Sequence, residues 1–444
     1  MYNEAVELRP WGDQFAIDDA LYRKQVRYLL AHSPFYREKL RAAGFEGADA
    51  VGGLADLTKL PFTEKDQLRA SRTEQNPIGA HFAVDYDRLT RIFSTSGTTG
   101  TPSYIPITPE DLSCWVETCA RSYSAAGIRP GDKIVTTFNA GPFVAGATLE
   151  AFNHLGLCHI PVGTGNTERL MAAIQLLRPR IFSGTPSYAL YLAEWAQARG
   201  IDPGASSIEQ IITAGEPGGG EPAMRAKLEE AWGARVNEAM GIGDVSISIW
   251  GECTEQQGMH FSARDFIHFE LINPESGEPV AINDGAQGEL VLTHLQHQAA
   301  PLLRFRTRDH VVMSTGPCAC GRTSPRVRCV GRTDEMLIVR GVNVFPSAVR
   351  EVVAKYVPAV SGVLSIRPAV AGVRQLPPLR ILVELGEAQS ADSALAQRIQ
   401  TDIRSALVFT SQIELVPFGS LPRSEYKSKM VDYVDAAERP IEPA

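Results

Sequence analysis

Between residues 134 and 239 the chain alternates short apolar runs with amphipathic stretches, and this alternation narrows the fold more than any other feature. Residues 134–138, 157–162, 180–183, 208–213 and 234–239 read as strands, while 167–177, 186–199 and 222–232 carry apolar positions at helical spacing. Strands alternating with helices imply a parallel sheet, because each parallel neighbour needs a right-handed crossover. Ligands of such sheets lie beyond the carboxyl ends of the strands. Two loops there carry chemistry: Ala214-Gly215-Glu216-Pro217 and Met240-Gly241-Ile242-Gly243-Asp244.

Upstream stands Ser94-Thr95-Ser96-Gly97-Thr98-Thr99-Gly100-Thr101-Pro102, dense in hydroxyls and glycine. Glycine lets backbone N–H groups turn inward and hydroxyls add movable donors, so the segment suits a polyphosphate. No Gly-Lys-Ser/Thr follows, which separates it from the common P-loop. A flexible linker is the alternative, but the flanks read as ordered. Residues 91–93 and 104–107 look like paired strands, and a helix opens at Thr108 (N-cap) and Pro109, with Glu110 and Asp111 in its first turn. Residues from about 15 to 45 also carry helical spacing.

The texture changes near Phe261, where strand-like runs at 266–272, 288–293 and 302–307 are separated by turn clusters. A last region from Asp334 has helices at 347–355 and 394–407 and strands at 363–367 and 380–384. The expected class is α/β. A large N-terminal domain, 1–333, has parallel α/β sheets and a small antiparallel β subdomain at about 261–333; an α+β lid domain occupies 334–444. A net charge of −8 without a long basic run argues against nucleic acid or an anionic membrane as partner. The first residues lack a positive stretch and an apolar core, no window approaches a membrane span, and seven cysteines form no secreted disulfide framework. A cytoplasmic protein is expected.

In this order the pieces resemble the adenylate-forming superfamily of acyl-CoA synthetases, luciferases and adenylation domains, and within it the phenylacetate-CoA ligase family. The resemblance rests on Ser94–Pro102, Thr185–Tyr188, Ala214–Pro217, Arg304–Asp309, Gly331–Met336, Arg340–Pro346 and Leu421–Lys427, which span nearly the whole chain. It implies joining of a carboxylate to ATP with loss of pyrophosphate, rotation of the C-terminal domain, and displacement of AMP by a thiol, usually that of CoA. By the same resemblance Lys427 is the catalytic cation at the α-phosphate. Ser94, Ser96, Gly97, Thr98, Thr99 and Gly100 grip phosphate, and Ala214, Gly215, Glu216 and Pro217 with Met240 and Gly241 surround adenine. Asp309 accepts the ribose hydroxyls, Arg332 meets the ribose-phosphate side, and Asp334 is the hinge. Relatives usually carry an aromatic residue and a magnesium-binding Glu where this chain has Met240 and Asp244. Met still packs on a ring and Asp still binds a hard cation with one methylene less reach.

A second constellation is Cys318-Ala319-Cys320-Gly321 with Cys253 and His260 upstream. Cys-X-Cys alone is a weak signal, but three thiolates and an imidazole complete a closed tetrahedral site. Some relatives resemble this arrangement, so a structural zinc ion is favoured, with Cys329 the rival fourth ligand. Cys114, Cys119 and Cys158 read as core. Phe138 and Phe143 flank Gly141 and Gly146 where the family lines its acyl pocket, with Ala214 and Gly241 as floor and Asn139 near a ring substituent. An aromatic or arylacetic acid is the leading substrate, with ATP, Mg²⁺ and coenzyme A. Two alternatives stay open: an enzyme that loads a carrier protein or an amine, and a degenerate adenylate-binding regulator motivated by Met240 and Asp244. A homodimeric state is also left open.

Overall fold

The computed structural model describes residues 1–94, 103–138, 140–141, 143–163, 166–340, 342–370, 372–422 and 430–433. The chain divides into two compact units. One comprises Met1–Gly184, Ser206–Ala214 and Arg235–Arg328, the other Thr185–Ala205, Gly215–Ala234 and Cys329–Ala444.

In the first unit, β1 (Arg91–Ser94) and β2 (Tyr104–Ile107) form an antiparallel hairpin, with Ser94 opposite Tyr104. The helix Pro109–Ala125 follows directly. Its Thr108 hydroxyl accepts from the Asp111 amide at 3.1 Å, and the Asp111 carboxylate accepts from the Thr108 amide at 3.0 Å. This reciprocal cap satisfies two otherwise orphaned donors. Then come β3 (Lys133–Thr136), β4 (Cys158–Pro161), β5 (Ile181–Gly184), β6 (Gln210–Thr213) and β7 (Arg235–Ile242). They pair in parallel in the order β4-β3-β5-β6-β7, as the alternation predicts. Buried Tyr123, Ile134, Phe152, Ile181 and Ile212 form the core on this half.

The antiparallel segment is not a separate sheet. β7 turns into β8 (Ser246–Glu252), and the sheet continues through β9 (Met259–Phe261), β10 (Ile267–Ile272), β11 (Pro279–Val280), β12 (Gln287–His294), β13 (Phe305–Ser314) and β14 (Arg326–Arg332). Among the described residues the order is β11-β10-β12-β13-β14-β9-β8-β7-β6-β5-β3-β4, and the pairing changes from parallel to antiparallel at β7. The N-terminal helical region is two helices, Gln14–His32 and Pro34–Ala42, because Pro34 cannot continue the first and Ser33 caps the second. Cys114 is half-buried and Cys119 buried, but Cys158 is exposed, since it opens β4 at the sheet edge.

The second unit holds the helices Pro186–Gln197 and Pro222–Trp232. It also contains β15 (Leu337–Val339), β16 (Val342–Val344), the helix Pro346–Ala354, β17 (Val360–Arg367), β18 (Arg374–Gln375), β19 (Leu379–Leu385), the helix Ser393–Leu407 and β20 (Ser411–Val416). Its core is aliphatic: Val349, Val353, Ile366, Ile381, Val383, Ile399 and Ile403 are fully buried. Among the described residues no helix is long and apolar enough to cross a membrane.

Candidate active site and candidate metal centre

Lys427, Ser96, Gly97, Thr98, Thr99, Gly100 and Asn139 lie outside the described residues. Ser94, the first residue of the hydroxyl-rich segment, ends β1 and forms a parallel bridge with Phe143. That bridge brings the start of the expected phosphate loop to one wall of the expected acyl pocket. Phe138 and Ala214 are both half-buried and pack against the same core cluster as Tyr123 and Phe152. Ala214 is anchored by donating its amide to the Gly184 carbonyl at 3.0 Å.

β7 runs to Ile242, so Met240 and Gly241 are strand residues rather than loop residues, with Met240 opposite Trp250. The pairing register shifts between Met240 and Ile242, a bulge at Gly241. A Cβ on Gly241 would stand 1.8 Å from the Ile247 carbonyl oxygen, so the backbone itself demands glycine there. Asp244 follows in the turn, half-buried, with Lys65 Nζ 2.6 Å from its Oδ2. Lys65, Arg72, His81, Tyr104 and Asp244 line one cleft. Burial pushes the His81 imidazole down to about 4, against the pull of the nearby Asp244 charge. Lys65, Arg72 and His81 carry no local motif that would have singled them out.

Asp309 sits within β13, almost buried, and its amide donates to the Thr307 hydroxyl at 3.0 Å. The arginines before it are each bound to a carboxylate. Arg304 forks onto Glu270 at 2.9 and 3.1 Å, Arg306 onto fully buried Glu289 at 2.8 and 2.9 Å, and Arg308 reaches Glu64. Bidentate guanidinium–carboxylate pairs of this kind fix direction as well as distance, so β13 presents Asp309 from a braced strand.

In the second unit the loop Gly215–Pro217 begins with Gly215 at φ +93°, a conformation suited to glycine. Glu216 accepts the Ser187 amide at 2.9 Å, at the start of the helix Pro186–Gln197. The Pro217 carbonyl accepts from Arg350 at 2.7 Å. Arg332 and Asp334 hold each other: Nε to Oδ1 at 2.9 Å and Nη2 to Oδ2 at 2.7 Å, both partly exposed. The residue expected at the ribose-phosphate and the residue expected as hinge are thus one pair.

Cys253, His260, Cys318 and Cys320 converge, their ligand atoms all within 4.8 Å of one another. Cys253 follows β8, His260 lies in β9, and the two other cysteines sit in the turn between β13 and β14. Cys253 and Cys318 sulfurs are 3.7 Å apart, and Cys320 Sγ is 3.4 Å from His260 Nε2. Hydrogen bonds from Cys253 and then His260 hold the Cys320 thiol far below its ordinary range, while the bond given to Cys320 and burial drive Cys253 upward. His260 Nδ1 lies 3.3 Å from the Ser324 carbonyl, which orients the ring, and the Glu255 amide donates to Cys253 Sγ at 3.4 Å. The rival, Cys329, instead has its thiol near the Gly331 carbonyl at 3.8 Å.

Two family models match the chain. One described as "AMP-binding enzyme" matches residues 16–296, and one described as "AMP-binding enzyme C-terminal domain" matches 341–433. The phenylacetate-coenzyme A ligase of Thermus thermophilus is 35% identical over 443 residues, covering 96% of this chain and 97% of that one. The Pseudomonas putida phenylacetate-coenzyme A ligase is 33% identical over 442 residues, with the same coverage of 96% and 97%. Among solved structures, a 2-hydroxyisobutyryl-CoA ligase in complex with 2-HIB-AMP aligns with a TM-score of 0.89 at 26% identity, covering 97% of this chain and 91% of that one.

Proposed function

Because the chain belongs to the phenylacetate-coenzyme A ligase family of AMP-binding enzymes, we propose that the acid it activates is an aryl or arylacetic carboxylate. The reaction is ATP-dependent acid–CoA ligation through an acyl-adenylate. The acid's carboxylate attacks the α-phosphate and pyrophosphate leaves. The CoA thiol then attacks the acyl carbonyl, loses its proton, and AMP leaves. The observation that carries the substrate class is the match over 96% of the chain to an enzyme acting on phenylacetate, supported by Phe138 and Phe143 at the expected pocket. Two aromatic walls favour offset or edge stacking of a ring.

Anion meets anion in the first step, so stabilising charge is the chief need. Lys427 supplies it at the α-phosphate. The hydroxyl-rich loop from Ser94 to Gly100 holds the phosphates, Glu216 and Pro217 with Met240 bound the adenine, and Asp309 takes both ribose hydroxyls as an acceptor-only group. Arg332 exchanges Asp334 for the ribose-phosphate, which leaves the hinge carboxylate free as the lid domain from Asp334 onward turns. Asp244, whose Oδ2 is bound by Lys65, would hold Mg²⁺, which would supply neutralisation of phosphate charge.

Cys253, His260, Cys318 and Cys320 form a structural zinc site. A tetrahedral ion with bonds of about 2.3 Å to sulfur spaces its sulfurs about 3.8 Å apart, close to the 3.7 Å between Cys253 and Cys318. Such a closed set leaves no position for substrate, so its role is to pin the β13–β14 turn to β8 and β9. The test of the substrate class is a kcat/KM series with ATP and CoA across benzoates, phenylacetates, fatty acids and amino acids. Aryl acids should lead, with related ring acids within a few hundred-fold of one another, since each methylene of fit is worth about 1–3 kcal/mol. A preference for fatty acids or zwitterions overturns the aryl assignment.

A further inference from the structure

Arg350 lies on the helix Pro346–Ala354, in the part of the chain assigned above to the lid. Its guanidinium forks onto Glu221, Nη2 to Oε1 at 2.9 Å and Nε to Oε2 at 3.2 Å, and Nη2 also donates to the Pro217 carbonyl at 2.7 Å. Both charged side chains are nearly buried, 8% and 7% exposed. Glu221 is the residue before the helix Pro222–Trp232 and makes no side-chain cap to it, so its carboxylate is directed to Arg350 instead. A second bond joins the same helix to the same region: Lys227 Nζ donates to the Ser361 carbonyl at 2.9 Å. Next to Pro217, Glu216 is already tied to the Ser187 amide. The loop proposed to receive adenine is therefore held from one side by the helix Pro186–Gln197 and from the other by Arg350.

We propose that Arg350 is a positioning residue for adenylation, a latch through which docking of the lid sets the Glu216-Pro217 loop. The proposal rests on the reading of residues from Asp334 as a rotating domain. Buried ion pairs add little net stability, because desolvation of both partners offsets their attraction. Their value is geometric, and one that can be opened is nearly neutral: when the lid turns, guanidinium and carboxylate both regain water. The bond to the Pro217 carbonyl couples the two events. A lid that is docked presents a shaped loop to the nucleotide, and a bound nucleotide favours the docked lid, a coupling that is reciprocal in free energy.

The experiment uses the full chain with Arg350→Met, Arg350→Lys, and the exchanged pair Glu221→Arg with Arg350→Glu. Two half-reactions are read separately: pyrophosphate release from ATP and phenylacetate, and thioester formation from synthetic acyl-adenylate and CoA. Arg350→Met should raise KM for ATP and slow the first step by about tenfold, within the usual span of coupling between sites, while the second step is unslowed. Arg350→Lys should fall between, because an ammonium keeps the charge but not the fork. The exchanged pair should recover part of the loss. Equal slowing of both steps, or a lowered melting temperature with KM for ATP unchanged, overturns the latch. A wild-type chain that releases no pyrophosphate with any acid overturns the ligase reading, and the latch with it.

Discussion

The Cys/His cluster and the residues proposed to face the nucleotide are built on opposite principles. In the first, four donors from three places in the chain converge within 4.8 Å of one another. In the second, charges are matched in pairs: Asp244 with Lys65, Arg332 with Asp334, Arg350 with Glu221. Converging donors of this kind suit an ion that binds and stays, because its binding is linked to folding. Paired charges can let go and take a ligand that comes and leaves. On the proposed function, the difference teaches that one site belongs to the fold and the other to the turnover.

The largest effect expected from this contrast is on the cluster. Purified protein should carry about one zinc ion per chain. Cys318→Ser or His260→Ala should lose it together with on the order of 4 kcal/mol of stability, the class of loss that follows removal of a structural metal. Elemental analysis beside thermal melting reads both. Metal-free wild-type protein that melts like the variants would erase the distinction between the two regions. Loss of zinc in Cys329→Ser but not in Cys253→Ser would move the site.

A smaller effect falls on chemistry alone. Lys427→Ala should slow adenylation by about 10²–10³-fold, or roughly 3–4 kcal/mol of transition-state charge stabilisation. Thioester formation from synthetic acyl-adenylate should be spared, because the proposed rotation of the lid takes Lys427 out of that step. Equal loss in both steps would remove Lys427 from the role.

Much of the scaffold was legible because its signals are local. The helices Thr167–Leu177 and Pro222–Trp232 have the limits that the sequence predicts. Asn166 caps the first by accepting the Arg169 amide at 3.1 Å, and Pro222 opens the second, which Gly233 closes in the left-handed conformation. The Cys/His cluster was legible for a related reason: cysteine and histidine are scarce enough that their spacing narrows the choices. The pairing of charges was not. Nothing near Arg304, Arg306 or Arg308 marks Glu270, Glu289 or Glu64 as partners, and Lys65 meets Asp244 only because the chain folds back. The change at β7 was hidden too, since a strand that pairs in parallel on one side and antiparallel on the other has no distinct composition.

The smallest expected effect sharpens the same contrast. Arg332 and Asp334 are partly exposed, and exposed pairs contribute about 0–1 kcal/mol. Arg332→Ala should leave the melting temperature almost unchanged and raise KM for ATP, measured by pyrophosphate release. A clear fall in melting temperature without a change in KM would place this pair with the fold rather than with turnover.

The central claim is two-step ligation through an acyl-adenylate. It is tested most directly by mixing enzyme with ATP and phenylacetate without CoA, following pyrophosphate, and then adding CoA. The account predicts a burst of pyrophosphate of about one per active site, because the adenylate stays bound, followed on CoA addition by phenylacetyl-CoA and AMP in equal amounts. Pyrophosphate that appears only once CoA is present, or an acyl group that passes to water and not to the thiol, would contradict it.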